Sequence, residues 1–437
     1  MMDGTSPLAT GKVRFNCANR RQIEWRDACW DDLLAEDHPA RAVWQFVEGL
    51  DLSPIIASYK AVEGAPGAKP IDVRILMALW LYATLRAIGS ARELNRRCGD
   101  AGEIPFQWIC GGVTVNYHSL ATFRTRYWED LRELLTKSVA VLMHEGLVDM
   151  ERVAQDGMRV RASAGSSSFR RRESLEKCLK EAELQVNTLQ AELENDTTSS
   201  SRRQQAAKER AATERKARIE AALKQMPAIE AKKKAEEKSK ARVSTTDADA
   251  RVMKMANGGF HPAYNVQFAT DTKTQVITGV DVTNNGGDRG EMGRMISQLE
   301  ECYGKVPEEY LVDGGFSSKE DVEQVSRDPD DDDSGGTTVY APLRKCPSGE
   351  DPHTRRDKES PAVGDWRERM GTEEAKEIYK DRASTAECVN AIARNRGLQQ
   401  FCVRGLIKVK AVLLWYALAH NFIRIWALRG QPLVIRG

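Results

Sequence analysis

The stretch Tyr310-Leu311-Val312-Asp313-Gly314-Gly315-Phe316 constrains the fold more than any other. An apolar run ends in a carboxylate and two glycines, the pattern by which a buried strand delivers an acid to the rim of a sheet and then turns away. A second strand-like run, Val153-Ala154-Gln155-Asp156-Gly157-Met158-Arg159-Val160, carries Asp156. A third acid, Glu387, lies in a helical segment near the C-terminus. Three carboxylates from separated elements suit two divalent metals and phosphodiester chemistry.

The chain has 437 residues, enough for two or three domains, and its 41% hydrophobic and 30% charged content describes a soluble globular protein. Before Asn16 there is no apolar core of the signal-peptide kind, and charge interrupts every apolar run before the roughly 18–20 residues of a membrane span. Nine cysteines are scattered singly from Cys17 to Cys402 without a CxxC. This argues against zinc and a disulfide framework, and for a reducing cytosol. The net charge of +1 averages unlike regions. Residues 388–437 contain eight Lys/Arg and no Asp or Glu, and residues 157–254 contain 23 basic against 15 acidic residues, an excess of 8. Such segments suit a polyanion, although a solvated charged face has the same composition.

Residues 1–150 read as an all-α region. Asp72 to Leu85 is apolar almost all round and predicts a buried helix broken by Gly89. Ser90 then caps a short basic helix, Ala91 to Arg97, which presents Arg92, Arg96 and Arg97. Helix, turn and basic helix fit a DNA-binding corner, and an ordinary helical bundle accounts for them equally. Ser119 to Glu145 reads as one long amphipathic helix with Arg124 and Arg126 off its apolar stripe.

Residues 151–437 alternate strands and helices around an insertion. Leu175, Leu179, Ala182, Val186, Leu189 and Leu193 form a heptad seam. A polar break at Asp196–Ser201 and a second charged helix follow, so residues 172–235 predict an antiparallel coiled-coil hairpin, with Pro227 kinking or ending its second helix. Tyr264–Ala269 and Val276–Val282, joined by Asp271-Thr272-Lys273-Thr274, predict a β-hairpin. A helix near Glu291–Cys302 leads to the Asp313 strand. Asp328 to Gly336 reads as a solvent loop, Val339–Pro342 as a short strand, and Arg344 to Glu368 has no clear pattern. A helix is expected from Thr372 through Glu387 to Arg394, and an apolar one over Leu406–Leu428.

Motifs in this order resemble one family, the DDE transposases of bacterial insertion sequences. They begin with Asp37-His38-Pro39-Ala40-Arg41, Gly89-Ser90-Ala91-Arg92-Glu93-Leu94 and Thr122-Phe123-Arg124. Gln155-Asp156-Gly157, Asp247-Ala248-Asp249-Ala250-Arg251, Tyr264-Asn265-Val266-Gln267 and Asp313-Gly314-Gly315-Phe316 follow. The most specific are Tyr379-x2-Arg382-x4-Glu387-x6-Arg394, then Val403-Arg404-Gly405-Leu406 and Ala417-Leu418-Ala419-His420-Asn421. The resemblance implies an α/β fold: a ribonuclease-H-like catalytic domain with the hairpin inserted, preceded by the all-α domain. It makes Asp156, Asp313 and Glu387 the catalytic, metal-binding triad for Mg²⁺, with Mn²⁺ as a substitute. Tyr379, Arg382 and Arg394 would contact DNA.

The same resemblance implies double-stranded DNA as partner, at the element's ends and at its target, and a homodimer on that DNA. No membrane partner is expected, and the location is cytoplasmic, at the nucleoid. Two departures stand out. Many relatives have three residues between the Arg and the Glu where this chain has four, and a Lys where it has Arg394. The basic residues after Glu387, among them Arg396, Arg404, Lys408 and Lys410, predict a row of cations along the scissile strand.

Each acid also has a structural reading. Asp156 can cap a turn, Asp313 can end a strand, and Glu373, Glu374 and Glu377 compete with Glu387. Asp281 and Asp288 fit structural roles better, Asp288 with a supporting place behind the triad. His118, His261 and His420 are too scattered for a metal site, and Tyr379 can simply pack. A catalytically silent DNA-binding descendant is the main alternative; a metal-dependent nuclease of this fold is chemically close to a transposase and separated from it by strand transfer, and a coiled-coil scaffold accounts for residues 172–235 alone.

Overall fold

The computed structural model describes residues 29–59, 69–195, 199–326, 336–344 and 351–430. Helices α1 (Trp30–Leu33), α2 (Pro39–Glu48), α3 (Ser53–Ala57), α4 (Val73–Leu85), α5 (Ala91–Gly99), α6 (Ile104–Cys110), α7 (Tyr117–Arg126) and α8 (Trp128–His144) come first. Asp72 caps α4 and Ser90 caps α5, each accepting a hydrogen bond from a first-turn amide. Every residue of α4 except Arg74 is buried, so it is the hub of a bundle. The chain leaves α4 at Ala87, with φ of +57°, two residues before the glycine expected to break it.

The segment expected as one long amphipathic helix is two, divided at Tyr127. Arg124, expected off the apolar stripe, is buried: its guanidinium lies 4.5 Å from the Trp80 ring and donates to the Gly89 carbonyl. Cation–π attraction and that carbonyl replace the water it has lost.

Strand β1 (Arg152–Arg161) opens the second half and β2 (Phe169–Arg170) follows. The insertion is a pair of long helices, α9 (Arg172–Asn195) and α10 (Ser199–Ala231). Arg172 pairs with Glu230 at one end and Gln190 with Glu209 near the other, so the two run antiparallel. Leu175, Ala182, Ile219, Ala222 and Met226 form their shared core, joined by Ala241 and Val243. Pro227 does not end α10, which runs four residues further with Met226 and Ala222 packed in the hairpin core despite one missing amide. Of the polar break, Asp196–Thr198 lies outside the described residues.

Strands β3 (Val243–Ser244), β4 (Arg251–Lys254), β5 (Phe260–Asp271) and β6 (Ile277–Thr283) come next, then α11 (Glu291–Tyr303), β7 (Glu309–Leu311), α12 (Lys319–Val325) and β8 (Thr338–Tyr340). The main sheet runs β4-β5-β1-β7-β8, with β6 also on β5, while β2 pairs with β3. β1 is antiparallel to β5 and parallel to β7, which in turn is parallel to β8. The Asp156 strand and the strand leading to Asp313 are therefore neighbours. β5 and β6 form the expected hairpin, and Asp271 accepts hydrogen bonds from the Thr274 amide and hydroxyl in its turn. β4 was not foreseen. The expected aspartate-rich loop falls largely on residues 327–335, outside the described residues.

The poorly patterned stretch contains a helix, α13 (Pro361–Gly371), which packs Val363 and Trp366 against the sheet side. It is followed by α14 (Glu373–Arg382), a π turn (Ala383–Glu387), α15 (Cys388–Asn395) and α16 (Leu406–Leu428). α16 is long and apolar enough to cross a membrane, but about 72% of its most apolar window is buried inside the protein. It lies between β6 and helices α4, α7 and α8, so residues of both halves share one core. Residue 150 therefore marks a change in element type within continuous packing.

Two motifs fix α16. Asp247 and Asp249 accept from the amides of Gly405 and Leu406 at its first turn, where a helix N-terminus favours negative charge. Asn421 brackets Ile277 with two 2.8 Å hydrogen bonds, and His420 lies 2.8 Å from the Gln275 carbonyl. Burial, assisted by Arg396 and Arg424, pulls the His420 pKa down to about 4. Its unfolded value lies near 6.5, so the unfolded chain takes up the proton first. Its contribution is therefore complete above pH ~6.5 and is lost as pH falls to about 4, at roughly 1.4 kcal/mol per pH unit. Denaturant titrations across this range should give a shallower loss for His420→Gln than for the wild type; equal slopes would place the titration elsewhere.

Candidate active site

Asp156 lies in the middle of β1, and Asp313 two residues beyond the end of β7. The parallel pairing of these strands brings both acids to one side of the sheet, where the helical segment with Glu387 crosses. All three meet at Arg382. Its Nη2 lies 2.9 Å from Asp156 Oδ1 and 3.9 Å from Asp313 Oδ2, and its Nη1 donates to Glu387 Oε1 at 2.6 Å. Asp156 Oδ2 accepts from Asn390 Nδ2 at 2.8 Å, and Asp313 Oδ1 from the Gly315 amide at 2.7 Å. The second glycine after Asp313 has a reason: a Cβ there would stand 2.8 Å from Asp313 Oδ1.

The extra residue between Arg382 and Glu387 is absorbed by the π turn, which holds these i,i+5 side chains on one side of the helix. Arg152 anchors the turn's start by an ion pair to Asp381 at 2.6 Å, and Gln275 donates to Ser384 O at 2.8 Å. Glu373 and Glu377 pair instead with Lys376 and Lys380 on the exposed side of α14.

Burial raises the Asp156 pKa above the ordinary carboxylate range, although Arg382 and Asn390 pull it down. Burial also works against the Arg382 charge, but Asp156, Tyr379, Asp313 and Glu387 outweigh it and its pKa is raised. Tyr379 is half-buried beside this group, and burial raises its phenol pKa. Among the described residues, no three of His, Cys, Asp and Glu are arranged to hold an ion between them; at the triad, the guanidinium stands where the acids converge. The donor set nevertheless suits a hard cation: three carboxylates face one positive group, and the buried Asn390 Oδ1 has no hydrogen-bond partner.

The other face of β1 is a buried polar layer. Asp288 accepts from Asn265 at 2.7 Å, Gln267 at 2.9 Å and Arg159 at 2.8 Å, and Gln155 joins Gln267 to Tyr310. A Cβ on Gly157 would lie 2.3 Å from Asp288 Oδ1, so the Asp-Gly pair needs its glycine to admit this layer. Asp288 is thus a support behind β1. Asn390 was missed, since a lone Asn in a helix carries no pattern.

Along the C-terminal end of β1, a groove of about 1040 Å³ is lined by Gly157, Arg159, Arg161, Lys254 and Arg394 among others, with no carboxylate among its lining residues. The cations expected in one row after Glu387 are dispersed. Arg394 is in the groove, but Arg396 lines a small buried cavity with Arg124. Arg404 bonds the Ser163 carbonyl at the hairpin root, and Lys410 pairs with Asp281 at 3.0 Å. Lys408 is exposed on the first turn of α16. The loop before α16 and the helical turn itself point these side chains in different directions. In the N-terminal bundle Arg92 is exposed over Tyr117, whereas Arg96 and Arg97 both pair with Glu93.

Residues 345–426, which include Arg382, Glu387 and Arg394, match the family model described as a transposase DDE domain. Residues 28–126, the helical bundle, match one described as a transposase domain. The chain thus carries transposase-family sequence towards both ends, and its resemblance to the DDE transposases of insertion sequences is shown. Asp156 and Asp313 lie between the two matches. No curated protein and no solved structure matches the chain.

Proposed function

We propose that this transposase-family chain cuts DNA strands at the ends of an insertion sequence and joins them to a target, with Asp156, Asp313 and Glu387 as its metal-binding acids. The observation that carries this reading is the convergence of the three carboxylates on one guanidinium from three separate elements. The strand order, with an antiparallel β6-β5-β1 half and β7 and β8 parallel to β1, supports a ribonuclease-H-like fold.

Mg²⁺, or Mn²⁺ in its place, would supply activation of the attacking oxygen and neutralisation of the leaving one. The chain's own residues prepare the acids. Asn390 and the Gly315 amide each fix one oxygen of Asp156 and Asp313, and the π turn presents Glu387. Arg382 offsets part of the repulsion among the three charges. The groove with Arg161, Lys254 and Arg394 gives duplex DNA a cationic bed along the C-terminal end of β1. Double-stranded DNA is then the partner, the nucleoid the place of action, and a homodimer the form that holds two ends together.

The test is incubation of the protein with Mg²⁺ and duplexes taken from either side of its gene. Breaks at a fixed position with free 3′-hydroxyls, followed by joining to a second duplex, are expected. Binding without breaks would favour a silent DNA-binding descendant.

A further inference from the structure

The hairpin joins the body of the protein at a second cleft, of about 380 Å³, lined by Arg170, Arg215, Arg218, Thr245, Thr246 and Arg404. Arg170 ends β2, Arg215 and Arg218 lie one turn apart on α10, and Arg404 precedes α16. No carboxylate is among the lining residues. The nearest compensation is weak. Arg218 is 3.7 Å from an exposed Glu214, Arg215 donates to Gln185 at 3.1 Å, and Arg404 donates to the Ser163 carbonyl at 3.1 Å. Four guanidinium groups in so small a space repel one another unless an anion enters.

The cleft is preformed. Gln225 of α10 donates to Asp249, the same carboxylate that accepts from the Leu406 amide, and Arg172 pairs with Glu230 across the hairpin root. The chain also links the cleft to the groove at the end of β1. Arg161, in the groove, exchanges backbone hydrogen bonds with Gln399 and Phe401, and three residues further on Arg404 bonds Ser163. Two adjoining segments therefore lead from groove to cleft.

We propose that this arginine cleft is a second phosphate-binding site for duplex DNA, engaging backbone phosphates beyond those held in the groove. The hairpin root thereby lengthens the DNA track, and Thr246 offers a hydroxyl to the same oxygens. Arginine suits phosphate geometry, and phosphate contacts position a duplex without reading its sequence. The inference rests on the reading of this chain as an enzyme acting on DNA.

The test measures binding of a random-sequence duplex against salt for the wild type, Arg170→Ala/Arg218→Ala, Arg170→Lys/Arg218→Lys and Arg161→Ala/Arg394→Ala, with phosphate-ethylation interference on each. The cleft Ala variant should flatten the salt slope by about 1.8, at roughly 0.9 per lost contact. It should also lose one cluster of interfering phosphates, distinct from the cluster lost by the groove variant. The Lys variant should keep most of the slope, which separates lost charge from lost folding. A cleft Ala variant with the wild-type slope and map overturns the proposal, and if the groove variant still flattens the slope, the functional reading stands without it. A wild type with no salt-dependent affinity for duplex DNA would bring down both.

Discussion

Asp313→Asn should abolish strand cleavage, by at least about a thousandfold or roughly 4 kcal/mol in barrier, while leaving DNA affinity within about twofold. The substitution preserves volume. It also keeps a side-chain oxygen to accept from the Gly315 amide. Only the charge and the donor strength towards a cation are lost. Asp313 sits 3.9 Å from the Arg382 guanidinium and is partly exposed, so the fold depends little on it. Affinity is expected to come from the groove, where Asp313 is not a lining residue. The check is a nicking assay beside a binding curve on the same DNA; equal loss in both would mean that Asp313 holds the fold or the DNA instead.

Arg382→Gln should destabilise the metal-free protein by about 3 kcal/mol and make it respond more strongly to Mn²⁺ than the wild type does. Arg382 and Asp156 are both largely buried, with 10% and 16% of their side chains exposed, and removing one partner leaves the other charge uncompensated. Glu387, at 54% exposed, remains solvated and adds less. The same three acids without the guanidinium are a stronger cation site, because nothing positive competes for it. Binding to the folded state alone stabilises by about 2.7 kcal/mol at a hundredfold excess over the dissociation constant. Thermal melts with and without Mn²⁺ read both effects. A variant as stable as the wild type, or one indifferent to Mn²⁺, would mean that Arg382 does not stand in for a cation.

Much of this site was legible in the chain because its parts obey local rules. An apolar run ending in Asp-Gly-Gly identifies a strand end, and Asp156 sits in an alternating run, so both acids could be placed on strands before any pairing was known. The heptad seam of Leu175 to Leu193 made the hairpin visible for the same reason. What stayed hidden depends on contacts between distant segments. Arg124 looks like a surface cation until Trp80 and Gly89 are brought beside it. The row expected after Glu387 failed because Lys410 meets Asp281, which is 129 residues away. The π turn was invisible because the spacing shows an extra residue without showing where the helix widens. Asn390 carries no signal in the sequence, and Gly157 needs its missing Cβ because of the distant Asp288 and Gln267.

Direct Mn²⁺ binding to the metal-free protein tests most simply whether Asp156, Asp313 and Glu387 together bind a divalent cation. Calorimetric titration should give saturable binding in the wild type. Asp156→Asn, Asp313→Asn and Glu387→Gln should each weaken it by tenfold or more, about 1.4 kcal/mol each. Binding left unchanged by all three substitutions, in folded proteins, would contradict the account.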